Sequence, residues 1–256
     1  MSGNRGFTDK RPEEYRRPDI NPYLRLHREF GPPVLVGEDA PGFKGQWHGA
    51  FGDRQAPLHL EVGSGNGFYL AGMAAKHPEW NWLGLEIRFK RVVLCAKKLV
   101  AAGVSNARIG RYDAWHLSDL FEDGELAGLY TNHPDPWPKD RHEKKRLIGP
   151  VFARWAAGAL APGARWRLKT DHLINVQGML TAIEGLPFRL VGRSDDVQRD
   201  GTPWPEDDDV VTNYQRKFYV KNEPIYAVEV ERIMGEVPEP APPAQPHAGA
   251  PGADEG

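Results

Sequence analysis

The segment LHLEVGSGNG, residues 58–67, indicates the fold class of this chain. Its first half, Leu58-His-Leu-Glu-Val62, has the length and apolar character of a short buried strand, and its second half is a glycine-rich turn. The next residues, 67–77, have a helical pattern that ends near Pro78. A strand that turns through glycines into a helix is typical of the ligand-binding edge of an open α/β sheet.

The rest of the chain continues this alternation of strands and helices. Further strands are predicted at residues 80–87, 107–110, 126–131, 165–170, 188–192 and 225–230, and further helices at residues 89–102, 147–160 and 171–184. This order predicts an α/β fold with an open, mostly parallel sheet and helices on both faces. Ligands of such sheets bind beyond the carboxyl ends of the strands, so we expect the chemistry there.

The composition of the 256 residues fits one folded domain with short extensions. Hydrophobic residues make up 40% and charged residues 27%, as in an average globular protein. No apolar run is long enough to span a membrane, and the start of the chain has no apolar signal-peptide core, so a cytoplasmic location is predicted. The single cysteine, Cys95, permits neither an internal disulfide nor a cysteine-based zinc site, and no metal is expected.

The two ends of the chain differ in composition from its middle. Residues 1–43 are predicted to be a basic arm, partly disordered, although a merely solvated tail fits the same residues. Residues 44–232 form the predicted folded domain, and residues 233–256 form a Pro/Ala-rich tail predicted to be disordered. The net charge of −2 argues mildly against nucleic-acid binding, but residues 139–146 carry five basic and two acidic side chains and create a local positive field.

Three carboxylates come at successive strand ends. Glu61 lies in the glycine turn, Glu86 ends the second strand and Asp113 follows the third. A carboxylate after the second strand can accept hydrogen bonds from both hydroxyls of a ribose. Asp113 suits an adenine amino group, and Glu61 suits a cationic amino group or a sulfonium. The three acids together indicate a site for an adenosine that carries positive charge.

The same residues separate two common nucleotide ligands. Gly63, Gly65 and Gly67 let the backbone approach a ligand closely, but Phe68 stands where the dinucleotide fingerprint requires a third glycine. Three carboxylates also repel a ligand rich in phosphates. S-adenosylmethionine has no phosphate and carries an ammonium and a sulfonium, so it is favoured over NAD as the ligand.

A proline-rich loop follows the fourth predicted strand, facing the expected methyl donor. Three prolines restrict its backbone and present Asp135 and Trp137. A carboxylate can accept hydrogen bonds from the N1–H and the amine of guanine, and an indole can stack on a base. Basic side chains suited to phosphates come next, with a solvated charged face as the alternative; they are Lys139, Arg141, Lys144, Lys145 and Arg146.

The stretch HPDPWPKDRHEKKRL, residues 133–147, resembles the signature of the bacterial tRNA (guanine-N7-)-methyltransferase family. The segments PLHLEVGSGNG, WLGLEI, LKTD and TNYQ resemble that family too, and the resemblance extends roughly from Lys44 to Arg232. It implies a Rossmann-like class I methyltransferase fold in residues 44–232. It also implies transfer of a methyl group from S-adenosylmethionine to N7 of guanosine 46 in the variable loop of tRNA.

The resemblance further implies the roles of individual residues. Donor binding falls on Glu61, Glu86, Asp113 and Asp135, and Asp135 is also the implied catalytic residue. Substrate binding falls on Lys139, Asp171, Thr212, Asn213, Tyr214 and Gln215. Gln215 stands where the family usually has Glu. The expected partner is tRNA, with no membrane and no obligatory protein partner.

Other activities stay open at this point. The loop H-P-D-P-W is similar to the [DN]-P-P-[FYW] loop of exocyclic-amine methyltransferases, and Gln215 is compatible with a tRNA-binding protein that has lost catalysis. An NAD-linked oxidoreductase is disfavoured by the glycine spacing. A cytosine C5 methyltransferase needs a cysteine nucleophile, but Cys95 lies on the apolar stripe of a predicted helix, where core packing is the better interpretation.

Overall fold

The structure is a computed structural model that describes residues 22–36 and 39–239. The strands are β1 (Val34–Leu35), β2 (Leu58–Val62), β3 (Asn81–Glu86), β4 (Ala107–Arg111), β5 (Leu126–Asn132), β6 (Leu160–Thr170), β7 (Phe188–Ser194) and β8 (Tyr226–Arg232). The helices are α1 (Pro22–Glu29), α2 (Phe68–Lys76), α3 (Phe89–Ala101), α4 (Pro150–Ala159), α5 (Leu173–Ala182), α6 (Val197–Asp200) and α7 (Asn213–Lys221). Short 3-10 helices include Ala114–Asp119, Asp140–Lys145 and Glu206–Asp208.

The strands form one eight-stranded sheet in the order β1-β4-β3-β2-β5-β6-β8-β7. All neighbouring pairs from β1 to β6 are parallel, and β8 is antiparallel to both β6 and β7. Trp82 and Leu83 are neighbours on β3 but pack in different hydrophobic clusters, since successive side chains of a strand point to opposite faces. One cluster includes residues of α2 and α3 and the other includes residues of α4 and α5, so the predicted α/β class is confirmed.

Aromatic residues form a large part of the core. Trp47, Trp82 and Trp166 are buried, while Trp80 and Trp155 are partly buried against the same clusters. His59 stacks on Trp80 with a centroid distance of 4.1 Å, and its Nδ1 lies 3.0 Å from the hydroxyl of Tyr130. Burial lowers the pKa of His59 to about 3, which keeps the ring neutral. Cys95 is buried as well, as its place on the apolar stripe predicts.

Part of the predicted basic arm is folded. Helix α1 buries Leu24 and His27, and the ring of His27 packs edge-on against Phe89 of α3 at 5.3 Å. Strand β1 then pairs with β4. The arginine-rich composition hides this helix, because only a few apolar side chains attach it to the domain. Residues 1–21 and 37–38 of the predicted arm and residues 240–256, which hold most of the predicted tail, lie outside the described residues.

Several predicted boundaries shift in the structure. Helix α4 begins at Pro150 rather than at residue 147, since proline suits the first helical position. Strand β6 begins at Leu160, with a register irregularity against β5, instead of after Pro162-Gly163. Helices α6 and α7 were not predicted, as both are short and polar. No helix of the described residues is long and apolar enough to cross a membrane, and within the same residues no group of three or more His, Cys, Asp or Glu side chains is arranged to hold a metal ion.

Candidate active site

Four parallel strands end at one cavity, where ligands of such sheets are expected. Its lining includes Gly63 after β2, Glu86 at the end of β3, Asp113 after β4 and Asp135 after β5. Residues that are far apart in the sequence therefore meet around one space, because their strands are neighbours in the sheet.

The carboxylate of Glu86 is fixed by the backbone around it. Its Oε2 accepts a hydrogen bond from the amide of Gly65 and its Oε1 accepts one from the amide of Arg88, both at 3.0 Å. The guanidinium of Arg91 lies 3.8 Å from Oε2. Each carboxylate oxygen keeps a further lone pair, so Glu86 can still accept hydrogen bonds from a ligand. Arg88 and Arg91 also line the cavity, and no sequence motif indicated this.

Glu61 lies behind the glycine turn rather than on the surface of the cavity. Its side chain is buried, and its Oε1 accepts a hydrogen bond from Nδ2 of Asn132 at 3.0 Å. Burial raises the pKa of Glu61 to about 7, although the hydrogen bond from Asn132 opposes the shift. The predicted pairing of Glu61 with a cationic ligand group requires the ionised carboxylate. With a pKa of about 7, this carboxyl has to lose its proton to form the pair at or below neutral pH.

The three glycines of the turn have different surroundings. Gly63 lines the cavity, and a Cβ at its position would meet no atom within 4 Å. The amide of Gly65 supports Glu86. Gly67 has a φ of 75° and faces Cys95, where a Cβ would lie 2.4 Å from the sulfur. Gly67 thus permits the close packing of α2 on α3 and does not face the cavity, contrary to its predicted role in donor binding.

The loop that carries Asp135 is held by hydrogen bonds as well as by its prolines. The amide of His133 donates to the carbonyl of Lys169 at 2.7 Å, and Nδ2 of Asn175 donates to the carbonyl of Pro134 at 2.9 Å. His133 and Trp137 have φ values of 50° and 41°, in the left-handed region. Asp135 is exposed at the cavity wall between them. The loop therefore presents this carboxylate from a fixed backbone.

Asp171 belongs to a cluster that sequence reasoning did not foresee. Its Oδ1 lies 3.2 Å from Nδ1 of His133, and its Oδ2 accepts a hydrogen bond from the hydroxyl of Tyr214 at 3.3 Å. Nε2 of His172 lies 3.2 Å from the same Oδ2. Burial lowers the pKa of His133, so we assign a neutral ring that donates from Nδ1 to the carboxylate. The cluster connects the loop that carries Asp135 to the end of β6 and to the start of α7.

The residues of the TNYQ segment divide into two pairs. Asn213 and Tyr214 are exposed, as substrate contact requires. Thr212 is buried and caps α7, because its Oγ1 accepts a hydrogen bond from the amide of Gln215 at 3.1 Å. Gln215 is fully buried, and its Oε1 accepts a hydrogen bond from Lys169 at 3.1 Å. The predicted substrate contacts of Thr212 and Gln215 are therefore replaced by structural roles.

Lys169 anchors this side of the site. Its buried ammonium donates to Oδ1 of Asp209 at 2.7 Å, to the carbonyl of Val210 at 3.0 Å and to Gln215. These three contacts use all three of its hydrogens. The sequence shows both parts of this cluster, since Lys169 lies in the LKTD segment and Asp209 ends the acidic run before Val210. It does not show that the two segments are in contact.

The five basic residues predicted to bind phosphates do not form one surface. Lys139, Arg141 and Lys144 are exposed. Lys145 lines the cavity, with its Nζ 4.8 Å from the centroid of the Trp137 ring. Only 15% of the Arg146 side chain is exposed, and its Nε donates to the carbonyl of Trp137 at 3.2 Å. Arg146 thus holds the loop in place, which corrects the prediction of five equivalent phosphate ligands.

Comparison with known proteins agrees with this architecture. A family model described as a putative methyltransferase matches residues 55–228. The chain is 37% identical to a tRNA (guanine-N(7)-)-methyltransferase of Streptococcus thermophilus, over 84% of this chain and 97% of that protein. It is 35% identical to the protein of the same name from Listeria monocytogenes, over 78% of this chain and 91% of that one.

The chain belongs to the tRNA (guanine-N7-)-methyltransferase family. The solved structure of the 16S rRNA methyltransferase KamB shares its fold, with a TM-score of 0.51 and 13% identity over 72% of this chain and 91% of that one. The expected Rossmann-like class I fold is therefore confirmed. This methyltransferase uses S-adenosylmethionine as its methyl donor.

The cavity residues of this methyltransferase fit that donor. The oriented carboxylate of Glu86 could accept hydrogen bonds from ribose hydroxyls. Asp113 lies at the next strand end, with its Oδ1 accepting a hydrogen bond from the amide of Trp115 at 3.1 Å. Among the described residues, Oε2 of Glu61 is buried without a hydrogen-bond partner, next to the glycine turn. An adenosyl group with an ammonium matches these acceptors.

We expect Glu86→Gln to weaken donor binding to this methyltransferase by roughly ten- to a hundred-fold. The amide keeps the size of the side chain but replaces one acceptor oxygen by a donor, and a charged hydrogen bond contributes about 1.5–3 kcal/mol. Titration calorimetry with S-adenosylmethionine measures the effect. Glu79→Gln is the matched control, because Glu79 is an exposed carboxylate outside the cavity. An unchanged dissociation constant for Glu86→Gln contradicts the assignment.

Glu61 gives the donor-free methyltransferase a specific pH dependence. In the unfolded chain the pKa of Glu61 has its ordinary value of 4.5, and in the folded protein it is about 7. The folded state therefore keeps a proton that the unfolded chain loses, so the stability from neutral Glu61 is complete below pH 4.5 and is lost as the pH rises to 7. Relative to Glu61→Gln, the wild type should lose roughly 3 kcal/mol over this range.

Urea unfolding of both proteins from pH 4.5 to 8 checks this expectation, because other titrating groups cancel in the difference. A constant difference for Glu61→Gln would mean that Glu61 is ionised in the folded protein.

Proposed function

We propose that this methyltransferase transfers the methyl group of S-adenosylmethionine to N7 of guanosine 46 in the variable loop of tRNA. The observation that carries the proposal is the continuous loop of residues 133–146, which presents a carboxylate and an indole at the donor cavity and cations outside it. The names of the curated relatives support N7 of guanine in tRNA as the acceptor. The choice of nucleotide 46 rests on the resemblance of the loop to the family signature.

The methyl transfer requires the protein mainly to position the two reactants and to stabilise the charge that develops. Guanine N7 carries a free lone pair and needs no deprotonation before it attacks. S-adenosylmethionine supplies a methyl group that is already activated by its sulfonium. Holding the two reactants in line can contribute several kcal/mol, up to roughly 7–11 in ideal cases. No general base is therefore required for the transfer.

Asp135 has two tasks in this proposal. Its carboxylate accepts hydrogen bonds from the N1–H and the amine of guanine, which selects the base. The base becomes cationic as the methyl group is transferred, so the negative charge of Asp135 stabilises the transition state more than the ground state. The rigid loop keeps the carboxylate in place, so little reorganisation accompanies the reaction.

The substitution of Glu by Gln at position 215 does not argue for a protein without catalysis. Gln215 is buried against Lys169 and Tyr219 and does not line the donor cavity. Its amide accepts from Lys169 through Oε1 and donates to the hydroxyl of Tyr219 through Nε2. The change therefore affects the anchoring of α7, while Asp135 and Glu86 remain in place.

Methylation of paired tRNA transcripts tests the proposed site. The enzyme is incubated with S-adenosylmethionine carrying a labelled methyl group and a transcript that has either guanosine or adenosine at position 46. We expect incorporation near one methyl group per molecule in the first transcript and none in the second. Equal incorporation into both would place the methylated nucleotide elsewhere in the tRNA.

The exposed cations of the loop should carry the salt dependence of tRNA binding. We expect the triple variant Lys139→Ala/Arg141→Ala/Lys144→Ala to bind all tRNAs more weakly. Each phosphate contact that it removes should reduce the log–log salt slope by roughly 0.7–0.9. Donor affinity should stay unchanged, because S-adenosylmethionine has no phosphate. Filter binding at several salt concentrations measures the slope.

A matched control removes three exposed cations from α3, β7 and α6, as Lys97→Ala/Arg189→Ala/Arg199→Ala. The control changes the net charge equally and should leave most of the slope intact. If both triple variants reduce the slope alike, the loop has no special role and only the total charge matters.

A further inference from the structure

Three consecutive cations at the end of the loop that carries Asp135 have different surroundings. Arg146 is bonded to the carbonyl of Trp137 and is largely buried. Lys144 is exposed and, like Arg146, borders a separate groove that is lined by residues of α4 and α5. Lys145 lines the cavity that also contains Asp135. Sequence reasoning gave all three the same role, but only the ammonium of Lys145 is placed to meet a group inside the cavity.

Lys145 lies over the indole ring of Trp137 beside the cavity. Its Nζ lies 4.8 Å from the centroid of the Trp137 ring, and both side chains line the cavity. An aromatic base that stacks on this face takes the place of the ammonium. The lysine stem is long and flexible, so the ammonium can move from the ring face to the rim of the base.

We propose that Lys145 recognises guanine by donating a hydrogen bond to O6. Guanine presents three groups in a row along its edge, namely the O6 acceptor, the N1–H donor and the amine donor. In the proposed function, on which this inference rests, Asp135 accepts from N1–H and the amine. Lys145 supplies the complementary donor for O6, and N7 is left free to receive the methyl group.

The pair also explains the rejection of adenine. Adenine carries an amino group where guanine has O6, and its N1 has no hydrogen. An ammonium would then face a donor and a carboxylate would face a lone pair. Sites built to pair with a polar group reject bases that lack it strongly, since buried polar groups are left without partners. Lys145 is thus a specificity-determining residue rather than a phosphate ligand.

A comparison of two substrates and two neighbouring lysines tests the proposal. The substrates are tRNA with guanosine at position 46 and the same tRNA with 2-aminopurine there, which lacks O6 but keeps N7. The measured quantity is the ratio of kcat/KM on the guanosine substrate to kcat/KM on the 2-aminopurine substrate. This ratio should be roughly ten to a hundred times larger for the wild type and for Lys144→Met than for Lys145→Met. The altered N1 of 2-aminopurine affects every variant equally and cancels in the comparison.

Lys145→Arg should keep the discrimination, because a guanidinium also donates to O6. Thermal unfolding and donor affinity of each variant confirm that fold and cofactor site are intact. The proposal is overturned if Lys145→Met discriminates against 2-aminopurine as strongly as Lys144→Met does. Absence of N7 methylation by the wild type on the guanosine substrate would instead contradict the proposed function itself.

Discussion

Asp135→Ala is expected to reduce methyl transfer at least roughly a thousand-fold while leaving the fold intact. The carboxylate is exposed at the cavity wall, so its removal leaves no buried gap. It takes away both the acceptor for the guanine edge and the negative charge that offsets the cationic product, and preorganised electrostatic groups are among the largest contributors to catalysis. Single-turnover measurements with saturating donor and tRNA isolate the chemical step from binding.

Two further variants sharpen this prediction. Asp135→Asn keeps the size of the side chain and removes its charge, and we expect most of the loss to persist. Glu143→Gln removes one charge from the same loop, at a side chain that is 76% exposed, and should retain nearly full activity. A rate for Asp135→Ala within a few-fold of the wild type would contradict the catalytic role.

Lys169→Met should be the most destabilising of the substitutions considered, with a loss of about 3–5 kcal/mol. The substitution leaves the buried carboxylate of Asp209 without its cation and removes the donor to Gln215. Because these contacts attach the segment before α7 to β6, we also expect weaker tRNA binding through the displaced Tyr214. Urea unfolding gives the free energy of the change.

Lys76→Met provides the matched control for Lys169→Met. Lys76 donates to the backbone carbonyl of Asp209 at 2.8 Å from an exposed position, so its loss should cost less than about 1 kcal/mol. The double variant Lys169→Met/Asp209→Asn should recover part of the stability, since it removes the unpaired charge as well. Equal losses of stability in Lys169→Met and Lys76→Met would show that the buried ion pair of Lys169 and Asp209 contributes no more than an exposed contact.

The sequence was sufficient to predict the layout of the site. Strand ends that carry Glu86, Asp113 and Asp135 were recognisable from apolar runs followed by acids, and a parallel sheet brings such ends to one edge. Strong local patterns, together with a long family signature, therefore made the fold class and the position of the cavity predictable. Patterns of this kind depend on neighbours in the sequence, which is why they were predictable.

Side-chain direction and long-range pairing were not predictable in the same way. Lys144, Lys145 and Arg146 look alike in the sequence, yet only Lys145 lines the cavity, while Arg146 is bonded to the carbonyl of Trp137 and Lys144 is exposed. Gln215 and Gly67 belong to conspicuous motifs but have structural roles. Gln215 accepts a hydrogen bond from Lys169 and Gly67 packs against Cys95, and both contacts are with residues distant in the sequence. Only the folded structure shows which members of a motif face the ligand.

Nucleoside analysis of the methylated product tests the central claim most directly. The enzyme is incubated with S-adenosylmethionine and a tRNA transcript that has guanosine at position 46, and the tRNA is then digested to nucleosides and separated by chromatography with mass detection. We predict that the methyl group appears as N7-methylguanosine and that Asp135→Ala produces none. A product methylated on the exocyclic amine of guanine, or no methylated nucleoside with the wild-type enzyme, would contradict the account.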